Sequence, residues 1–128
     1  MLKEKNAVDF GDLILKVIQL FREYPDILKK YQDMFKFVLV DEVQDLNKIQ
    51  QVWLEYILGD KPKRLTCVGD DDQMIYGFRR ADGEFILKFE EIYPNAKIIK
   101  LEQNYRSTKE IVKAANNLIS HNINRKGK

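Results

Sequence analysis

The sequence predicts an α/β fold with a mainly parallel sheet and flanking helices. Three short apolar runs, typical of strands buried on both faces, alternate with stretches in which apolar residues recur at helical spacing. Polar and charged residues follow each run directly, as is common where the strands of an open α/β sheet end at a ligand-binding edge. With 128 residues, the chain is long enough for one domain with a modest core.

Start and stop signals mark the elements of the first half of the chain. Asp9 can cap the first helix, and Pro25 suits the first turn of a second, shorter one. Asn47 or Asp45 can cap a third helix, which Gly59 ends. The predicted elements are helices at about 10–21 and 25–32, a strand at 36–40 and a helix up to residue 58.

The second half continues the alternation of strands and helices. Pro94 ends a helix, and Ser107 or Thr108 can cap the last helix, with Glu110 as the capping-box partner. The predicted elements are a strand at 64–68, a helical turn at 74–77, a helix at 84–93, a strand at 97–101 and the final helix.

The composition is that of an ordinary soluble globular protein. Hydrophobic residues make up 45% and charged residues 33%, and the net charge of +2 is too small to indicate nucleic-acid binding by itself. The single cysteine, Cys67, excludes a disulfide within the chain, and with His121 as the only histidine a zinc site is not expected. No signal peptide or membrane-spanning run is visible, so no membrane partner is expected.

Two adjacent carboxylates, Asp41 and Glu42, follow the first apolar run at 36–40. One carboxylate at the end of a buried strand can hold Mg²⁺, and its neighbour can orient or deprotonate an attacking water. This is the Walker B arrangement of a nucleotide hydrolase. Taken alone, such a pair is more often the start of a loop or a helix cap.

Three polar segments carry a family resemblance. Residues 41–47, 69–79 and 102–107 resemble motifs II, III and IV of the UvrD/Rep/PcrA-type superfamily 1 DNA helicases, in the same order and at similar spacing. The stretch at 9–14 resembles a short segment that precedes motif II in those enzymes. The resemblance runs from about Val8 to the end of the chain.

The resemblance implies a partial RecA-like, P-loop NTPase fold. Residues 1–94 would form the C-terminal part of the first RecA-like ATPase domain, with motifs II and III. Residues 95–128 would begin the second RecA-like domain, with motif IV. The alternative is that both parts pack as a single unit.

The resemblance also implies roles in binding ATP and Mg²⁺. Asp41 would help to hold the Mg²⁺ that bridges the β- and γ-phosphates, and Glu42 would polarise the attacking water. Gln73 would sense the γ-phosphate, Tyr105 would stack on adenine, and Arg106 would reach the γ-phosphate from the second domain. Without the resemblance, Arg106 would be interpreted as a surface cation.

Single-stranded DNA is the implied nucleic-acid partner. Tyr76 and Phe78 match aromatic residues on which bases stack, and Arg79 would contact the nucleic acid or bridge toward the ATP site. Without the resemblance, the two aromatic residues would be assigned to the core. Arg80 departs from the small residue that the family has at this position.

A Walker A loop, with its glycine-rich backbone and its Lys followed by Ser or Thr, does not occur in the sequence. We therefore expect an internal piece of a UvrD-type ATP-dependent DNA helicase, from a shortened or split reading frame or a deliberately cut piece, inactive alone. The complete enzyme would translocate on single-stranded DNA in repair or replication, in the cytoplasm and associated with the nucleoid.

Two alternatives remain at this point. The chain could be a non-catalytic remnant that binds single-stranded DNA or a partner protein. It could also be a subunit that complements a separate chain carrying Walker A. In every case, the missing helicase portion is an expected partner, and loss of sheet neighbours predicts self-association through an exposed sheet edge.

Overall fold

A computed structural model describes residues 7–61, 64–74 and 84–121 of the chain. It combines many helices with a small parallel sheet, an arrangement compatible with the predicted α/β class. The helices and strands are α1 (Phe10–Glu23), α2 (Pro25–Met34), β1 (Val38–Val40), α3 (Lys48–Leu58), β2 (Leu65–Cys67), α4 (Glu84–Leu87), α5 (Phe89–Ile92) and α6 (Lys109–Ile119), with 3₁₀ turns at Val43–Asp45 and Asp71–Gln73.

The sheet consists of β1 and β2, which pair in parallel with Leu39 opposite Thr66. α3 connects the two strands, as parallel pairing requires a crossover. The parallel arrangement predicted for the first two strands is therefore confirmed. Both strands end at the same edge of the sheet, so the segments that follow them start side by side.

The predicted third strand at 97–101 is wrong. This segment has neither helical nor strand structure, and the sheet found among the described residues has two strands. Ile99 and Leu101 are 67% and 83% exposed. An apolar run forms a strand only where a neighbouring strand pairs with its backbone and a surface packs against its side chains.

Helix starts in the first half follow the sequence signals closely. The Asp9 side chain accepts a hydrogen bond from the Asp12 amide at 2.8 Å, and α3 begins with the reciprocal pair Asn47–Gln50, at 3.0 and 2.9 Å. Both helices thus begin with a capping box. Gly59, with φ of 51°, ends α3 as expected.

The second half departs more from the prediction. The helix expected at 84–93 is divided at Lys88 into α4 and α5, each of four residues. α6 begins after Thr108, whose side chain makes no capping hydrogen bond, so the predicted capping box with Glu110 is wrong. With Thr108 as the cap, Glu110 is the second residue of the helix, one position short of the place that a capping box needs.

The hydrophobic core lies between the sheet and the helices α3, α4 and α5. Its fully buried members are Val43, Leu54, Leu58 and Phe85. Partly buried residues of both strands, among them Val40 and Cys67, pack against them. The core therefore anchors the chain just after β1, because Val43 is only three residues beyond that strand.

A second layer supports α3 from its other side. α1 and α2 pack on each other and on α3, with the Phe21 ring 5.8 Å from that of Tyr31 and 6.4 Å from that of Tyr56. The Arg64 guanidinium, just before β2, donates hydrogen bonds to backbone carbonyls of Gln32 and Phe35. It thereby fixes the end of α2 against the start of β2. Among the described residues, no helix is long and apolar enough to cross a membrane.

Candidate functional site

The candidate site lies at the edge of the sheet where β1 and β2 end. The segments after the two strands are joined by backbone hydrogen bonds, from Val68 N–H to the Val40 carbonyl at 2.8 Å and from Val43 N–H to the Val68 carbonyl at 3.0 Å. The loop that starts at Asp41 and the loop that starts at Gly69 are thus held at a fixed separation. This brings the first two polar segments of the sequence together.

Asp41 and Glu42 are both exposed at this edge. The Asp41 Oδ1 atom accepts a hydrogen bond from the Glu42 backbone amide at 2.9 Å. Asp41 also lines a groove of about 410 Å³, bounded mainly by apolar side chains that include Leu39 and Trp53. An exposed carboxylate beside a groove can reach a hydrated cation without losing its own solvation.

Glu42 has an unusual backbone conformation. Its φ of 50° and ψ of 46° place it in the left-handed region, and among the described residues no other non-glycine residue has positive φ. For a residue with a Cβ atom this conformation costs about 1–2 kcal/mol. Such strain is often found at functional sites, where the surrounding structure maintains it.

The Gln44 side chain joins the two loops, and we call its two hydrogen bonds the Gln44 bridge. Its Nε2 atom donates to Glu42 Oε2 at 2.7 Å, and its Oε1 atom accepts from the Asp70 backbone amide at 3.1 Å. Gln44 is 3% exposed, and both bonds are partly buried. The side chain of Glu42 is therefore tied to the loop that follows β2.

Gly69 makes room for the Gln44 bridge. A Cβ atom at this position would lie 2.6 Å from Gln44 Oε1 and 2.6 Å from Val43 Cγ1. Both distances are far below ordinary van der Waals contact. Any residue other than glycine would displace the amide or the core valine beside it.

Gln73 is connected to the same arrangement through Asp70. The Asp70 carboxylate accepts from the Asp72 amide and from the Gln73 side-chain amide, both at 3.0 Å. Gln73 itself is exposed at the end of the 3₁₀ turn. Asp41, Glu42 and Gln73 thus belong to one hydrogen-bonded group.

Among the described site residues, Tyr105 and Arg106 do not join this group. Tyr76, Phe78 and Arg79 lie outside the described residues. Tyr105 is 88% exposed, and within the described ranges the Arg106 side chain forms no ion pair with the acidic pair.

The turn around Arg106 has its own internal support. Asn104 Oδ1 accepts hydrogen bonds from the backbone amides of Arg106 and Ser107, at 2.9 and 2.8 Å. Asn104 therefore holds the turn. Farther along, the pKa of Glu110 is lowered by its own backbone amide and by the Thr108 hydroxyl.

Burial affects two titratable groups close to the site. It raises the pKa of the Cys67 thiol, which lies in β2, to about 11. The pKa of Tyr93 is raised by burial first, then by the charges of Glu55 and Cys67. Both groups are therefore neutral at pH 7 and act as packing residues.

Gln44 lies within the predicted motif II segment, 41–47, but no partner was predicted for it. The available signal was an amide side chain, which can both donate and accept, two residues after a carboxylate. No sequence signal marked the left-handed backbone of Glu42.

Comparison with known proteins gives consistent matches. The family profile of the UvrD/REP helicase N-terminal domain matches residues 1–94. The ATP-dependent DNA helicase PcrA of Staphylococcus epidermidis is 53% identical over 127 residues, which is 99% of this chain and 17% of that protein. A probable DNA helicase II homolog of Rickettsia felis is 50% identical over 123 residues, 96% of this chain and 19% of that protein. The chain thus spans less than a fifth of the length of these relatives.

Proposed function

Because the chain belongs to the UvrD/REP helicase family, we propose that it supplies part of the ATP-hydrolysing centre of a DNA helicase. The observation that carries the proposal is the hydrogen-bonded group at the ends of β1 and β2, which contains Asp41, Glu42 and Gln73. The relatives named ATP-dependent DNA helicase PcrA support the choice of ATP and DNA as ligands.

In this proposal Asp41 helps to hold Mg²⁺. The Asp41 carboxylate is exposed, and its Oδ1 atom accepts a hydrogen bond from the Glu42 backbone amide, which orients it. Both features suit this role, because Mg²⁺ in proteins is commonly held by one or two carboxylates and keeps several waters. When bound, the ion neutralises charge that develops on the phosphates. No further carboxylate is needed from the chain itself.

Glu42 is proposed as the residue that orients the attacking water and accepts its proton. Its Oε2 atom is occupied by the Gln44 amide, which fixes the direction of the carboxylate. Gln73, exposed and hydrogen-bonded to Asp70, is proposed to contact the γ-phosphate, because its amide can both donate and accept.

Further roles are proposed from the family resemblance alone. Tyr105 would stack on adenine and Arg106 would reach the γ-phosphate, which requires the two proposed domains to close on the nucleotide. Tyr76, Phe78 and Arg79 would contact single-stranded DNA.

We also propose the RecA-like fold for the domain to which residues 1–94 contribute, with residues 95–128 opening the second one. The family profile that matches residues 1–94 supports this division. Because its relatives are named as DNA helicases, the proposal places the chain in the cytoplasm, at the nucleoid, in repair or replication.

The rest of the helicase is the proposed partner of the sheet. Phe37, just before β1, is 77% exposed, and Leu39, within β1, is 76% exposed. These exposed apolar side chains support both this partnership and self-association of the chain alone. Light scattering after gel filtration tests the second idea. A monomer that persists at high concentration would contradict it.

The function is tested in a complete helicase. The aligned segment of the Staphylococcus epidermidis PcrA is replaced by this chain, and DNA-stimulated ATP hydrolysis is measured against that of the unmodified relative. We expect the hybrid to hydrolyse ATP and Glu42→Gln to lower its kcat by about 10²–10⁴-fold, the usual contribution of a general base. Glu55→Gln, the same chemical change at an exposed position of α3, is the control and is expected to leave kcat unchanged.

Two results would overturn the proposal. One is a hybrid that does not hydrolyse ATP although the unmodified relative does. The other is a Glu42→Gln hybrid that is as active as its parent. For the purified chain alone, without Walker A, we expect negligible ATP hydrolysis, and DNA-stimulated turnover that disappears in Glu42→Gln would contradict this.

A further inference from the structure

We propose that Gln44 is a positioning residue that transmits movement of the 70–73 turn to the Glu42 carboxylate. The inference rests on the function proposed above, in which Glu42 orients the attacking water and Gln73 contacts the phosphate. It assigns a specific task to a residue that itself touches neither nucleotide nor metal. The proposal depends on the geometry of the Gln44 bridge.

The bridge joins the loop after β1 to the loop after β2. Gln44 Nε2 is 2.7 Å from Glu42 Oε2, and Gln44 Oε1 is 3.1 Å from the Asp70 backbone nitrogen. On the far side of Asp70, its carboxylate holds the Gln73 side chain at 3.0 Å. A continuous set of hydrogen bonds therefore leads from Gln73 to Glu42.

The amide side chain of Gln44 meets both ends of this bridge, because it offers a donor and an acceptor. The Asp70 backbone amide is a donor and requires an acceptor, whereas the Glu42 carboxylate is an acceptor and requires a donor. The orientation of the Gln44 amide is therefore fixed by its partners. A carboxylate at position 44 would meet Glu42 with like charge, and an apolar side chain would satisfy neither partner.

The surroundings leave the amide little freedom to move independently. Gln44 is 3% exposed, and the neighbouring Val43 is part of the buried core. The Cα of Gly69 approaches so closely that a Cβ there would lie 2.6 Å from Gln44 Oε1. A shift of the 69–70 backbone must consequently move the Gln44 amide and, through it, the Glu42 carboxylate.

The first test uses the chain as it is. In ¹⁵N-labelled protein, Glu42→Gln is expected to shift the Asp70 backbone amide and the Gln73 side-chain amide resonances. The same change made in a Gln44→Met chain is expected to leave both resonances in place. Gln51→Met is the matched control, because Gln51 is also 3% exposed but bonds to the Leu46 carbonyl, outside the bridge.

The second test measures catalysis in the PcrA hybrid described above. Gln44→Met is expected to lower kcat by about 10- to 100-fold, as loss of a supporting hydrogen-bond partner commonly does, with the KM for ATP unchanged. Gln51→Met, which removes an equally buried amide, is expected to leave kcat near that of the parent. A merely structural role would affect both variants alike.

Gln44→Glu provides a second variant if Gln44→Met does not fold. It keeps the size of the side chain and an acceptor for Asp70 but repels Glu42, so the same fall in kcat is expected. Two results would overturn the inference. One is that Glu42→Gln still shifts the Asp70 and Gln73 amide resonances in a folded Gln44 variant. The other is that the Gln44 variant of the hybrid keeps the kcat of its parent. If those results occur while Glu42→Gln abolishes hydrolysis, the inference fails and the proposed function stands. If Glu42→Gln is fully active, the proposed function itself fails.

Discussion

Substitution of Gly69 by alanine tests the packing that holds the candidate site together. The new Cβ atom would lie 2.6 Å from both Gln44 Oε1 and Val43 Cγ1, and 3.3 Å from Ile86 Cδ1. Ordinary carbon contacts are about 3.5–4.0 Å, so the first two neighbours must move by about 1 Å. Both are almost fully buried and have little space to accept such a shift.

Two effects of Gly69→Ala lower the free energy of unfolding, and one smaller effect raises it. Overpacking of a buried site typically costs about 1–3 kcal/mol. Displacement of Gln44 leaves buried hydrogen-bonding groups unsatisfied, at about 1–3 kcal/mol. Alanine also restricts the unfolded chain, which returns about 0.4–1 kcal/mol. We therefore expect Gly69→Ala to lower the free energy of unfolding by about 1–5 kcal/mol, a large fraction of the usual total.

Urea denaturation followed by circular dichroism measures this free energy. Gly11→Ala is the matched control, because Gly11 is exposed in the first turn of α1 and its added Cβ would meet only the exposed Asp9 carboxylate, at 3.3 Å. A change there within about 1 kcal/mol is expected, and it can be stabilising. If Gly69→Ala unfolds at the same urea concentration as the parent chain, the tight approach of Gly69 to Gln44 is refuted.

Three further predictions concern stability and reactivity. Asn47→Ala removes one half of a capping box and is expected to cost about 1 kcal/mol in urea denaturation, whereas Thr108→Ala should cost clearly less, because the Thr108 side chain makes no capping hydrogen bond; equal costs would contradict the cap assignment. Arg64→Met removes both carbonyl bonds at the end of α2 and should cost about 1–2 kcal/mol, visible as a lower midpoint of thermal unfolding; an unchanged midpoint would argue against this contact. Since burial raises the pKa of Cys67 from 9.0 to about 11, its thiolate forms at higher pH in the folded than in the unfolded chain. A thiol reagent at pH 8 should therefore label the folded chain about 100-fold more slowly than the chain in urea, and stability should decline as pH rises from 9 toward 11; equal labelling rates would count against this burial.

Local signals predicted the first half of the fold well. Asp9 and Asn47 begin helices, and Gly59 ends one, because capping bonds and a positive φ depend on residues within a few positions of each other. The first two strands and their parallel direction also followed from the apolar runs and the helix between them, whereas the predicted burial on both faces was wrong, because Leu39 at the centre of β1 is 76% exposed.

The same type of signal failed where a distant partner was needed. The apolar run at 97–101 has the composition of a strand, yet without a pairing neighbour among the described residues it remains irregular. The helix expected at 84–93 divides at Lys88, where the backbone leaves helical geometry. Propensity describes what a segment can form, and tertiary contacts select what it does form.

The sequence alone placed Asp41, Glu42 and Gln73 at strand ends and indicated a nucleotide-hydrolysing centre by resemblance. Only the tertiary structure placed Gln44 between Glu42 and Asp70, turned Glu42 into the left-handed region, and required glycine at position 69. The physical reason is separation along the chain. Gln44 and Asp70 are 26 residues apart, and the register of β1 against β2 decides whether a buried amide finds its two partners there.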